Sequence, residues 1–199
     1  MTTNDKVYID KILNGDANAY AVIVERYKDL VYTLAYRMMK HTEEAEEVAQ
    51  DTFIKAYKSL NKFKGDSKFS TWIYRVAYNT CLDRLKKNKR YQSNVAIDEY
   101  TEHHVKSIDN ALDVLEQKER QLVIKSCIDK LDSESSFLLT LYYFEEQSLD
   151  EIAAITGLKA NNVKVKIFRA RKKLATILKD TLDNETIESY GTTYRPALR

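Results

Sequence analysis

Apolar residues recur every three or four positions through most of the chain, which is the spacing of one face of an α-helix. Four Gly and one Pro among 199 residues leave few turn signals, so the composition favours helices with short connections over sandwiches or barrels. We therefore expect an all-α fold. The segments predicted as helices are 5–14, 17–40, 43–60, 70–87, 110–131, 134–146, about two turns after Ser148, and 159–179.

Residues 93–108 interrupt this pattern, because they are polar and lack helical spacing. We predict two small helical domains, 1–92 and 109–179, joined by a linker over 93–108. Thr42 is the predicted N-cap of the helix over 43–60, and Asp132 or Ser133 that of the helix over 134–146. The predicted tail, 180–199, is expected to be poorly ordered.

The last predicted helix, 159–179, carries eight Lys or Arg and no Asp or Glu. One stripe of it is apolar, formed by Val163, Ile167, Ala170, Leu174 and Ile177. The opposite face holds Asn161, Val165, Phe168, Arg169 and Lys172. Such a helix packs one side on its own domain and offers the other to a negative partner, although a solvated basic helix fits this pattern equally well.

The segment before this helix favours a DNA-binding function. Ser148 and Glu151 have the spacing of a capping box, and a short apolar face follows them. Gly157 then stands where a helix C-terminus needs a positive φ. A short helix, a tight turn and a basic helix make a helix-turn-helix, whose second helix enters the DNA major groove. A helical hairpin without this function is the alternative.

The charges are segregated along the chain. Residues 63–92 hold eight basic and two acidic residues, residues 93–158 five and fourteen, and residues 159–179 eight and none. The formal net charge of +2 conceals these blocks. Two basic blocks on either side of an acidic one suggest two contacts with a polyanion, and DNA is the simplest candidate.

Several function classes find no support in the sequence. No phosphate-binding Gly-rich loop, zinc site or nucleophile elbow is present, and the histidines have no evident catalytic partners. We predict no enzyme activity, no cofactor and no metal. Cys81 and Cys127 lack metal-ligand spacing and fit helical patterns, so we expect reduced packing residues of a cytoplasmic protein. Without a long apolar run or a signal peptide, no membrane insertion is expected.

The helix over 43–60 has an unusual outer face. Ile54 lies in the middle of a face that is otherwise polar, with Glu47, Gln50 and Asp51. A lone exposed Ile is common and usually has no function. An apolar centre inside a polar rim is nevertheless the composition of a protein-binding surface.

The next break and helix suggest contact with single-stranded nucleic acid. Residues 63–70 form a short loop with Gly and small polar residues between two aromatics. In the helix after it, Trp72, Arg75, Asn79 and Lys86 align on one face. Aromatic rings can stack on bases while cations follow the backbone. The alternative is that Trp72 belongs to the core.

The helix over 43–60, the loop and helix after it, and the helix-turn-helix occur in the order seen in a known family. In these segments the chain resembles the extracytoplasmic-function (ECF) group of bacterial sigma-70-family sigma factors. The first-domain motifs are Ala45 to Phe53, Phe63 to Ser67 and Phe69 to Asn79. The second-domain motifs are Leu149 to Ala153 and Val163 to Arg171. The resemblance covers about residues 5–178 apart from the linker.

The resemblance implies a first domain that binds core RNA polymerase and captures the melted −10 element, and a second that binds the −35 element as duplex. It also implies an anti-sigma factor as a partner. The polymerase-binding residues would be Glu47, Gln50, Asp51 and Ile54. The −10 residues would be Gly65, Asp66, Ser67, Lys68, Phe69, Ser70, Trp72, Arg75 and Asn79. The −35 residues would be Asn161, Asn162, Lys164, Val165, Phe168, Arg169, Lys172 and Lys173.

The chain departs from the family pattern at three places. Asp51 stands where Glu is usual, Lys159 and the Asn161–Asn162 pair replace small residues, and Asp132 replaces a common Pro. A helix-turn-helix repressor or response-regulator output domain is the alternative function. It accounts for residues 132–179 but gives no role to the motifs around Gln50 and Trp72.

Overall fold

The computed structural model describes residues 3–91 and 117–181, and side-chain environments within 5–87 and 122–181. These ranges contain helices and turns and no strand, which confirms the all-α prediction. The predicted linker and nearly all of the tail lie outside the described residues. In the first range the helices are α1 Thr3–Leu13, α2 Tyr20–Met39, α3 Thr42–Ser59 and α4 Phe69–Tyr91, with 3-10 turns Ala17–Ala19 and Leu60–Lys62.

The first domain is a bundle in which α2, α3 and α4 pack on one another and α1 lies against α2. Its core is apolar, with Ile23, Val31, Leu34, Val48 and Ile73 almost fully buried. A buried carboxylate links α1 to α2. Asp5 forms an ion pair with Arg26 and accepts a hydrogen bond of 2.9 Å from Tyr27 Oη. Because the Asp5 carboxylate has polar partners on α2, polar as well as apolar contacts hold α1 in place.

The helices of the second domain are α5 Gln117–Asp129, α6 Ser133–Tyr143, α7 Leu149–Thr156 and α8 Ala160–Thr181. Helix α8 packs on α5, α6 and α7. Its predicted apolar stripe faces the core, since Val163, Ile167, Ala170 and Leu174 are buried. The stripe ends differently from the prediction, because Leu178 is buried and Ile177 is only partly so.

The predicted helix-turn-helix signals are confirmed. Ser148 caps α7 and accepts a hydrogen bond of 3.2 Å from Glu151 N, while Glu151 Oε2 accepts one of 2.8 Å from Ser148 N. Gly157 ends α7 with φ of 74°. An L-residue is strained at that angle, so Gly allows the short turn into α8.

The N-cap of α3 was predicted wrongly. Thr42 is not the N-cap of α3 but its first residue, and His41 holds the cap position without a side-chain hydrogen bond. Leu122 falls at helical spacing in α5, yet it is 68% exposed. Tyr142 of α6 is exposed as well. Asp132, one of two predicted caps of α6, is the residue that accepts from Ser135 N.

Both cysteines are free and fully buried, as predicted for packing residues. Burial raises the pKa of the Cys81 thiol to about 12, so its reactive thiolate is disfavoured. The described residues include no helix long and apolar enough to span a membrane.

Candidate nucleic-acid and polymerase interfaces

The outer face of α3 is built as the sequence predicts. Gln50 and Asp51 are exposed, and Ile54 between them is 52% exposed. Glu47 is exposed too, but its carboxylate pairs with Arg84 of α4. Tyr57, one turn after Ile54, is also exposed and was missed by sequence reasoning. Its i+3 spacing from Ile54 was the available signal, and it enlarges the apolar centre of this face.

The loop between α3 and α4 rests on a cluster of aromatic rings. The ring of Phe69 lies with its centroid 5.5 Å from Tyr27, 5.3 Å from Phe63 and 5.3 Å from Trp72. Phe63 and Trp72 are themselves 5.6 Å apart. We call Tyr27, Phe63, Phe69 and Trp72 the aromatic platform. Edge-on and tilted rings at these distances attract one another beyond simple area burial, so the platform holds the loop in place.

The aromatic platform corrects one predicted contact residue. Phe69 is fully buried, so its side chain supports the loop from beneath and offers no surface to DNA. Trp72 is only half-buried, and one part of its ring packs on the core while another part remains accessible. The interpretation of Trp72 as a core residue is therefore right for one part of the ring.

The polar part of the loop faces solvent. Gly65, Asp66, Ser67 and Lys68 are exposed, and Ser70 is half-buried at the start of α4. Gly65 has φ of +82°, a conformation in which a side chain would be strained. Lys68 Nζ lies 2.8 Å from Glu151 Oε1 of the second domain, and that bond lowers the pKa of Glu151.

Helix α4 presents Arg75 and Asn79 to solvent on the same face as Trp72. The spacing of three and then four residues places them in one row that runs from the loop along the helix. The structure thus brings together the loop, the accessible part of Trp72, and two side chains suited to phosphate and base contact.

The outer face of α8 carries exposed apolar side chains among cations. Val165 is 42% exposed and Phe168 is 52% exposed. Lys172 Nζ lies 5.0 Å from the centroid of the Phe168 ring and is half-buried. The other predicted −35 residues on this helix are exposed: Asn161, Asn162, Lys164, Arg169 and Lys173. An outward Phe beside outward cations suits a groove that offers both methyl groups and phosphates.

Two cations of α8 are held by the start of α6. Lys166 Nζ lies 2.7 Å from Glu134 Oε2, and Lys173 Nζ lies 2.8 Å from Asp132 Oδ2. Burial alone would raise the pKa of Asp132, but hydrogen bonds from Lys173 and Ser135 lower it below its usual value. Lys173 therefore has an acidic partner within the domain, which sequence spacing did not predict.

No group of His, Cys, Asp and Glu among the described residues is arranged to hold a metal ion.

Two family models match the chain. Sigma-70 region 2 matches residues 23–91, and Sigma-70 region 4 matches residues 121–174. The chain is 35% identical to the ECF RNA polymerase sigma factor SigW of Bacillus subtilis, over 88% of this chain and 97% of that protein. The chain belongs to the ECF sigma factors.

Other relatives agree with this membership. The RNA polymerase sigma-H factor of Pseudomonas aeruginosa is 31% identical over 89% of this chain and 95% of that protein. The ECF RNA polymerase sigma-E factor of Escherichia coli K12 is 31% identical over 85% and 92%. The function of this sigma factor is thus in transcription initiation, as the sequence predicted.

Solved structures show the same fold. CnrH, in complex with the cytosolic domain of CnrY, aligns with a TM-score of 0.61 at 24% identity, covering 89% of this chain and 99% of that one. The sigma factor RpoE of Bartonella quintana, in complex with the anti-sigma factor NepR, aligns with a TM-score of 0.60 at 20% identity, covering 80% and 96%.

Proposed function

We propose that this sigma factor binds core RNA polymerase through the outer face of α3 and directs it to promoters through two separate DNA contacts. One observation carries the proposal. The helix faces that hold the family motifs expose apolar side chains to water: Ile54 on α3, and Val165 and Phe168 on α8. Exposed apolar surface of this kind marks a binding site.

The polymerase-binding surface consists of Gln50, Asp51 and Ile54, with Glu47 at its edge and Tyr57 added from the structure. Ile54 and Tyr57 supply the apolar centre, and the polar residues form its rim. A centre of this kind binds a partner when it becomes fully desolvated. Arg84 holds Glu47 against α4, which keeps the rim in a defined position.

The −10 surface consists of the loop Gly65, Asp66, Ser67, Lys68 and Ser70 together with Trp72, Arg75 and Asn79. The aromatic platform fixes the loop, Asn79 can bond a base edge, and Arg75 can follow the backbone. Unpaired bases can reach such a surface, whereas a duplex hides their Watson–Crick edges. We assign this surface to the melted strand.

The −35 surface is the outer face of α8. Val165 and Phe168 can meet thymine methyl groups, and Arg169 can bond a guanine edge, while the surrounding Lys residues contact phosphates. Asn161 and Asn162 lie in the first turn of α8, the part of a recognition helix that enters the groove.

The proposal includes an anti-sigma factor as a partner, since the structural neighbour RpoE is seen in complex with the anti-sigma factor NepR. It also places this sigma factor in the cytoplasm, with the polymerase and the chromosome. The chain would catalyse no reaction itself, because the polymerase carries out the chemistry.

The test is run-off transcription from genomic fragments with purified core polymerase and the full chain. We expect transcripts from defined start sites that are absent without the chain. The variant Ile54→Asp should weaken core binding in a titration by about tenfold or more, the loss typical of a central interface residue. Val7→Asp, which changes an equally exposed apolar residue of α1, is the matched control and should bind as the parent does.

If the parent chain binds promoter duplexes but not core polymerase, the chain is a free-standing helix-turn-helix regulator and the proposal is wrong.

A further inference from the structure

Each edge of α8 carries two cations that lie seven residues, or about two turns, apart. Lys166 and Lys173 lie on one side of the buried stripe, and Lys164 and Arg171 lie on the other. We call the first two the paired edge and the second two the open edge. A recognition helix lies between the two phosphate backbones that wall the major groove, so each edge of α8 faces one strand.

Acids from the start of α6 neutralise the paired edge. Lys166 Nζ lies 2.7 Å from Glu134 Oε2, and Lys173 Nζ lies 2.8 Å from Asp132 Oδ2. Burial raises the pKa of Asp132, but hydrogen bonds from Lys173 and Ser135 outweigh it and bring the pKa below its usual value. Asp132 therefore stays ionised at neutral pH, and the formal charges of this edge cancel.

The open edge has no such partners. Lys164 and Arg171 are exposed, and no carboxylate among the described residues pairs with either of them. Helix α8 itself holds no acidic residue before Asp180, so a partner would have to come from another helix. One edge of the recognition helix is thus close to neutral, while the other carries two positive charges.

This difference decides how much each edge gains from a phosphate. A free lysine that contacts a phosphate releases a counterion, which steepens the salt dependence of binding by about 0.9 in log K per log unit of salt. A lysine that holds a carboxylate brings that negative charge to the phosphate too, and the like charges repel. Breaking an exposed ion pair costs little, but the carboxylate still faces the phosphate afterwards.

We propose that Asp132 and Glu134 form a charge screen, which confines the phosphate contacts of α8 to the strand that faces Lys164 and Arg171. This inference rests on the proposed function, in which α8 enters the −35 groove. Phosphate contacts position a protein on its duplex, so the charge screen sets which strand positions the helix. Lys173 contributes less to DNA binding than Lys164, although the sequence predicted both as −35 residues.

Salt titrations of duplex binding compare the two edges directly. Fluorescence anisotropy measures the affinity of the full chain for a labelled duplex of scrambled sequence between about 50 and 200 mM salt. Lys164→Ala removes one cation of the open edge and should lower the slope of log K against log salt concentration by about one. Lys166→Ala, the matched change on the paired edge, should lower the slope by less than about 0.3.

Removing the charge screen should abolish this asymmetry. Asp132→Asn with Glu134→Gln neutralises both acids, and Asn caps a helix as well as Asp does, so α6 stays capped. This acid-free variant should bind the scrambled duplex on the order of tenfold more tightly at about 50 mM salt, with a slope steeper by about one to two. The control Glu25→Gln with Asp83→Asn removes two acids of the first domain that also pair with lysines, and should bind as the parent does.

A double-mutant cycle shows whether an acid of the screen acts through its own lysine. In the Glu134→Gln background, Lys166→Ala should lower the slope by about one, as Lys164→Ala does in the parent. Equal slopes for Lys164→Ala and Lys166→Ala in the parent background would overturn the proposal. Weaker binding by the acid-free variant would overturn it too, because the acids would then be holding the lysines in place for phosphate contact.

The same titrations separate this inference from the proposed function. If the two edges give equal slopes while the duplex is bound, only the charge screen is wrong. If neither the parent nor the acid-free variant binds the scrambled duplex or the promoter fragment at about 50 mM salt, α8 is not a DNA-binding helix and both proposals are wrong.

Discussion

The two domains place their aromatic and apolar side chains in opposite ways around their proposed DNA surfaces. In the first domain Phe69 is fully buried and Trp72 half-buried, so the rings form a platform beneath a polar loop. In the second domain Val165 and Phe168 project outward from α8 among cations. The first arrangement suits bases that must be drawn out of a duplex, and the second suits a groove that the helix enters.

Phenylalanine therefore plays separate roles at the two surfaces. Phe69 and Phe168 both lie in family motifs, yet the first stabilises a loop and the second is free to touch a ligand. If these roles are correct, changing Phe69 should affect mainly the stability of the chain, and changing Phe168 should affect mainly DNA binding.

The largest effect is expected from Phe69→Ala, because it removes a buried ring from the aromatic platform. It should lower the free energy of unfolding by about 3–5 kcal/mol in urea denaturation of the full chain. The control Phe168→Ala should change it by less than about 0.5 kcal/mol, since that ring is half exposed. Similar losses in the two variants would contradict the division of roles.

A smaller effect is expected from Arg169→Ala on α8. If Arg169 bonds a base, the variant should lose about 1–3 kcal/mol on the preferred −35 duplex and discriminate less against a scrambled one. Fluorescence anisotropy with the full chain measures both affinities. Arg169→Lys is the control, because it keeps the charge but loses the bidentate geometry, and should relax the preference similarly. An equal loss on both duplexes for Arg169→Ala would make Arg169 a phosphate contact.

A pH-dependent effect is expected at Lys40, where the domains meet. Burial, with the nearby Arg37 charge, lowers the pKa of Lys40 from 10.5 to about 8. Between about pH 8 and pH 10 the folded chain therefore binds fewer protons than the unfolded chain, and stability rises with pH through this group. Relative to Lys40→Met, the parent should gain stability across that range in thermal melts. A constant difference between them would show that Lys40 keeps its ordinary pKa.

Sequence reasoning predicted best the features that depend on neighbouring residues. The amphipathic pattern of α8 and the capping box of α7 are local signals, and each depends on residues within a few positions. The outward face of α8 could therefore be read directly. Leu122 shows the limit of the method, because it falls at helical spacing and yet is 68% exposed among the described residues.

The aromatic platform and the contacts between the two domains depend on residues far apart in the chain. Tyr27 meets Phe69 across 42 positions, and Arg37 meets Asp129 across 92. No spacing within one helix reports such contacts. Phe69 was therefore assigned to DNA binding when it is a core residue, and the pairing of Lys68 with Glu151 was not predicted.

Transcription on two templates tests most directly the claim that the domains read different forms of DNA. One template carries the promoter as a full duplex, and the other is unpaired over the −10 element. Asn79→Ala should transcribe poorly from the duplex and regain most activity on the unpaired template, because the defect is in capturing melted bases. Phe168→Ala should stay defective on both, since its contact is with the −35 duplex. Equal rescue of both variants, or no rescue of Asn79→Ala, would contradict the account.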